Sequence, residues 1–212
     1  MQPGDILFTV PESDDPFYVK LPRATILFAA SLKAAFLPEN TIEIPIVHAA
    51  IAVSETEVIE SVKGGLEKND LTLDTRSAII FSPYEPWLAS SSVFVAERFY
   101  KDFKDKKITA DYSVWKAFMS TFKFGAYDQK LEARIDASID VGIATFCSEF
   151  VANAFEVGKL YSSANLDALP PPVFPRKSAG IQPFEMATYC ATKGNNFFLS
   201  GLRSIDGEVS FS

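Results

Sequence analysis

The stretch from Val47 to Val62 constrains this chain more than any other. Val47 to Val53 (VHAAIAV) and Val58 to Val62 (VIESV) are short apolar runs rich in β-branched residues, joined by the polar connection Ser54 to Glu57. Such a pattern predicts two strands of a β-hairpin. Gly64-Gly65 marks the next turn. Further strand candidates are Ile6 to Phe8 after the turn Pro3-Gly4-Asp5, Ser77 to Phe81, Val93 to Glu97 and Asn196 to Leu199. Pro83 and Pro86 then fall in a loop between the second and third of these candidates.

Elsewhere the period is helical. Ala24 to Phe36 reads as a mostly buried helix ended before Pro38, and Thr109 to Phe122, with Val114, Trp115, Phe118 and Met119, as an amphipathic helix ended by Gly125. Phe146 to Leu160 is a third helix, with Gly158 near its end. Phe184 to Cys190 is a short fourth, with Pro183 in its first turn. The run Pro170-Pro171-Pro172 predicts an extended segment, because proline cannot sit inside a regular helix. A helix, a β-meander and more helices, with no linker or repeat, predict one α+β domain over residues 1–212.

Composition narrows the function. Of the 212 residues, 48% are hydrophobic and 22% charged, enough to bury a sizeable core and the opposite of a disordered chain. The nineteen phenylalanines are read either as bulky packing or as an apolar groove. The net charge is −7, and the one dense patch, Arg98 to Lys107, interleaves Lys with Asp as a solvated surface does. Phosphate backbones need clustered Lys and Arg, so no nucleic-acid partner is expected. No CxxC or HExxH spacing occurs, so no metal or other cofactor is expected. Two cysteines, Cys147 and Cys190, allow at most one disulfide and leave the redox compartment open. Ala24 to Leu37 is too short to span a bilayer and carries Lys33. No leader is visible in MQPGDILFTV. A soluble protein is therefore expected, cytoplasmic as the sequence stands, with a periplasmic or secreted location compatible with a removed leader.

Three residues carry the chemistry. Thr145 is a candidate N-cap, which places Cys147 in the first turn of a helix, where free N–H groups and the helix dipole favour a thiolate. The plain alternative is a buried cysteine acting as a small hydrophobe. His48 opens a strand whose other residues are almost all apolar, and it is the chain's one imidazole. A Cys–His pair within one protomer must use it. Glu60 lies on the next strand and shares a face with Val58 and Val62. Beside His48 it would accept a hydrogen bond from the second ring nitrogen and fix the tautomer; otherwise it is a solvated strand residue.

Gly4-Asp5-Ile6, His48, Glu60, the segment Gly125 to Asp128 and Cys147-Ser148-Glu149 occur in an order that resembles the circularly permuted branch of the NlpC-type papain-like superfamily, the YiiX/YaeF-like group. Ile181 to Tyr189 (IQPFEMATY) resembles the Pro-plus-acidic stretch near the end of such proteins. The resemblance covers positions 4 to about 189. It implies a papain-like α+β fold, an antiparallel β-meander or barrel packed against helices with the cysteine at a helix N-terminus. It also implies a triad of Cys147 as nucleophile, His48 as general base and Glu60 as the residue orienting the ring. The activity implied is that of a thiol hydrolase, a cysteine peptidase or amidase acting on a peptide, isopeptide or cell-wall-type bond. A lipid acyltransferase or thioesterase of the lecithin–retinol type and a non-catalytic binding module are the alternatives. Relatives often carry Tyr before the cysteine, and here Phe146 removes that hydroxyl, so no side-chain oxyanion donor is expected. Tyr127 and Asp128 are read as packing and capping residues, Glu149 as a helix-start carboxylate and Cys190 as a core thiol.

Overall fold

The computed structural model describes residues 1–10, 46–73, 76–106, 146–163, 170–175, 181–203 and 209–210. The expected helices Ala24 to Phe36 and Thr109 to Phe122 lie outside these residues, as do Gly125 to Asp128 and Thr145. The described part is α+β: an antiparallel sheet with helices packed against it.

Among the described residues seven strands make the sheet: β1 (Ile6–Thr9), β2 (His48–Ala52), β3 (Glu57–Val62), β4 (Gly65–Asp70), β5 (Ala78–Pro83), β6 (Phe197–Arg203) and the two-residue β7 (Val209–Ser210). Their order is β4-β3-β2-β1-β5-β6-β7, with every neighbour antiparallel. The predicted hairpin is β2–β3, with Ala50 opposite Glu60 and Ala52 opposite Val58. Strand β4 was not anticipated. Its sequence, GLEKND, lacks the apolar alternation of a half-buried strand, because it borders the sheet and needs an apolar side chain only at Leu66. It pairs because Gly64 and Gly65, at φ 115° and 118°, turn the chain back on β3 in a conformation that costs glycine little.

Three α-helices lie among the described residues: α1 (Pro86–Lys104), α2 (Cys147–Ser162) and α3 (Pro183–Ala191). The expected strand Val93 to Glu97 is instead the middle of α1. The β-branched run is misleading in isolation, since Leu88, Ser92, Val95 and Ala96 are buried at helical spacing while Phe94 is 57% exposed. Pro86 stands at the start of that helix, where its missing N–H costs nothing, and Pro83 ends β5. Helix α3 starts where expected, with Gln182 and Glu185 forming a reciprocal capping box.

The main core lies between sheet and helices. Ile6, Phe8, Ile51, Ile59 and Phe81 from the strands meet Leu88, Phe150, Phe155 and Met186 from the helices. A smaller apolar cluster on the other sheet face holds Leu7, Ala50, Ala52, Val58, Ala78 and Ile80. Helices α1 and α2 cross closely at Gly158, where a Cβ would lie 2.9 Å from the Ser91 carbonyl carbon and the Ser92 nitrogen. Residues 170–172 are neither helix nor strand, as the prolines require, and the buried Glu156 carboxylate of α2 accepts the Val173 N–H at 2.5 Å and the Phe174 N–H at 3.1 Å. Among the described residues, no helix is long and apolar enough to cross a membrane.

Candidate active site

His48 is the first residue of β2, opposite Thr9 of β1. Two residues further on, Ala50 faces Glu60, so Glu60 is the diagonal neighbour of His48 on the same sheet face. The hairpin register alone therefore brings imidazole and carboxylate together. His48 Nε2 meets Glu60 Oε2 at 2.5 Å, with the ring 13% and the carboxylate 1% exposed. Nε2 being engaged by Glu60, the other nitrogen, Nδ1, is left for the thiol.

That thiol is Cys147, the first residue of α2, buried and near enough to the His48 ring to act on it electrostatically. The helix begins one residue later than expected: Phe146, with φ −91° and ψ 165°, is the N-cap. Phenylalanine has no side-chain acceptor, so Phe146 cannot satisfy the first-turn N–H groups as Ser or Asp would. The helix start is fixed from below instead, by Ser148 Oγ donating to the Ile181 carbonyl at 2.7 Å. Glu149 stands half-buried in the same first turn. The three residues singled out in the sequence thus form one row: thiol, imidazole, carboxylate.

Electrostatics make the row an ionic one. Burial by itself would push the His48 imidazole down, but the charges of Cys147 and Glu60, with the hydrogen bond the ring donates to Glu60, outweigh it and raise the ring to about 10. Burial would likewise raise Glu60; the His48 charge and hydrogen bond, reinforced by Arg76, hold it well below the usual carboxylate range instead. Imidazolium and carboxylate are the forms this arrangement favours.

Two further residues complete it. Asn69 of β4 donates from Nδ2 to Glu60 Oε1 at 2.6 Å, and Arg76, ahead of β5, donates from Nη1 to Oε2 at 3.1 Å and from Nη2 to Oε1 at 2.9 Å. Neither was expected. Asn69 follows from the register once β4 is recognised: it pairs with Val58 and so shares the face of Glu60. Arg76, in contrast, stands outside any strand, and no periodicity points it at Glu60.

The remaining candidates fall elsewhere. Tyr127 and Asp128 lie outside the described residues. Cys190 is buried in the main core, where the apolar surroundings push its thiol well up, and both cysteines are free. Among the described residues, no group of three or more His, Cys, Asp or Glu side chains is arranged to hold a metal ion. A cavity of about 260 Å³, lined in part by Asp5, Ser82, Phe198 and Ser200, includes no member of the row. No family model, no curated protein and no solved structure matches this chain.

Proposed function

We propose that this chain is a cysteine hydrolase with a permuted papain-like fold that cleaves an amide bond through an acyl-enzyme on Cys147. One observation carries the reading: the only imidazole of the chain stands between a thiol at a helix start and a buried carboxylate. That is the arrangement a thiol nucleophile needs, with a base in reach and a third group fixing the base. The matching order of sequence motifs supports the papain-like assignment.

The chemistry follows from the geometry. The Cys147 thiolate attacks the acyl carbonyl, forming a C–S bond and an oxyanion that backbone N–H groups at the start of α2 stabilise. The oxyanion collapses, the C–N bond breaks, and the His48 imidazolium gives its proton to the departing amine. Water then attacks the thioester and leaves its proton on His48. The carboxylic acid departs and Cys147 returns as thiolate. Glu60 stays ionised throughout and holds the ring with Nδ1 toward the sulfur. Peptide, isopeptide and cell-wall-type amides all present the bond this sequence of steps requires.

Iodoacetamide alkylation followed by peptide mass spectrometry tests the reading without a known substrate. Cys147 is expected to be alkylated readily, Cys190 to stay inert, and His48→Ala to slow the alkylation of Cys147. A Cys147 that is alkylated no faster than a free peptide thiol, and indifferent to His48→Ala, overturns the enzyme and leaves a binding module. Incubation with peptide and phospholipid substrates in parallel then shows which one leaves an acyl thioester on Cys147. Replacing Cys147 by Ser is expected to slow turnover by at least about a thousandfold.

A further inference from the structure

Glu60 has more partners than orientation of one ring requires. Oε2 receives the His48 Nε2–H and an Arg76 N–H, while Oε1 receives Asn69 Nδ2–H and the second Arg76 N–H. Three separate stretches of chain, β2, β4 and the approach to β5, converge on one buried carboxylate. Arg76 is itself anchored, since Arg203 of β6 donates from Nη1 to the Arg76 carbonyl at 3.0 Å and from Nη2 to the Leu71 carbonyl at 2.6 Å.

We propose that Arg76 is a positioning residue for this site: its two-pronged pairing fixes the plane of the Glu60 carboxylate and keeps it ionised, so that Oε2 stays aimed at His48 Nε2. Its functional meaning rests on the cysteine-hydrolase reading above. The physical argument concerns where a proton goes in a dry pair. A buried imidazolium and carboxylate can lower their desolvation cost by passing the proton across, leaving a neutral pair. That removes the negative charge on which the protonated ring depends. Guanidinium cannot lose its proton in a protein. Beside Arg76 the neutral pair would leave a cation facing an uncharged acid, so the proton stays on His48. A lysine in that place would supply the charge but not the fork that sets the carboxylate plane.

The two cations that meet Glu60 act in the same direction. His48 faces it from β2 and Arg76 from the approach to β5, while Glu67, directly opposite on β4, is exposed and its charge is screened by water. Cys147 lies beyond, beside the His48 ring. Removing the Arg76 cation therefore raises the proton affinity of Glu60.

Two variants of the full chain test this by NMR. In Arg76→Gln, the Glu60 carboxyl carbon signal is expected to titrate at least about one pH unit higher than in the wild type, the usual size for loss of an adjacent opposite charge. In Arg76→Lys, Glu60 is expected to remain ionised, while the downfield His48 Nε2–H proton signal moves upfield as the carboxylate loses its fixed plane. A folded Arg76→Gln protein in which Glu60 titrates as before reduces Arg76 to a structural ion pair and overturns the proposal. So does an unmoved Nε2–H signal in Arg76→Lys, which decides the matter if the glutamine variant does not fold. Neither readout involves the thiol. An unreactive Cys147 with shifted Glu60 titration sinks the hydrolase reading and keeps the network; a reactive Cys147 with unmoved signals does the reverse.

Discussion

His48 is the chain's only histidine, so its ring gives the only imidazole signals in an isotope-labelled sample. In the wild type those signals are expected to report imidazolium through neutral pH, with the change to the neutral ring at about 10 rather than at the ordinary 6.5. Both raising charges are removable. Glu60→Gln and Cys147→Ala should each move the midpoint down, because the desolvation that opposes charge on the ring remains while one anion is gone. A wild-type midpoint close to 6.5 would mean that the ring does not sit between two anions, and the proposed proton donation to the leaving group would lose its basis. At this scale the sequence was informative for a physical reason. A polar ring opening an apolar strand and a carboxylate between same-face valines are both anomalies of patterning, and the register joins them. Asn69 and Arg76 were invisible because polar residues in polar surroundings carry no such anomaly.

Among the elements, those with an apolar face were legible and those without were not. The β2–β3 hairpin, β5, α2 and α3 announced themselves by period and by proline or glycine at their ends. Strand β4 did not, since an edge strand held by a turn needs no pattern of its own. Helix α1 was partly misread because Val93, Phe94 and Val95 resemble a strand until the whole run from Pro86 is read at helical spacing. The same helix offers a sharp test of its packing on α2. Gly158→Ala should gain about 1 kcal/mol of helix propensity yet place a methyl group 2.9 Å from the Ser91–Ser92 backbone. Backbone atoms yield less readily than side-chain tips, and overpacking costs about 1–3 kcal/mol. The net expectation is a lower melting temperature, by about 3 °C for each kcal/mol lost. An equal or higher melting temperature would show that the two helices do not approach this closely.

At the largest scale, composition and element sequence were enough for an α+β arrangement with a real core among the described residues. The strand order was not readable, because it depends on which edges β1 joins rather than on any residue's period. Global stability against pH tests whether the row at the site is tied into that core. Glu60 is held below its ordinary 4.5 in the folded chain, so its contribution is full above 4.5 and is lost as pH falls through the folded value. Near neutral pH, Glu60→Gln leaves Arg76 and His48 against an uncharged amide, and removing one partner of a buried pair costs about 3 kcal/mol. As pH drops below 4.5, the unfolded wild type takes up a proton that the folded wild type refuses, which removes up to about 1.4 kcal/mol per pH unit from wild-type stability alone. The glutamine variant lacks that group. Urea unfolding at a series of pH values should therefore give two curves separated by a constant gap down to about pH 5 that converge on further acidification. Curves that stay parallel to pH 3 would mean that Glu60 ionises alike in folded and unfolded chains, and the carboxylate would then have no claim to be held by His48 and Arg76 together.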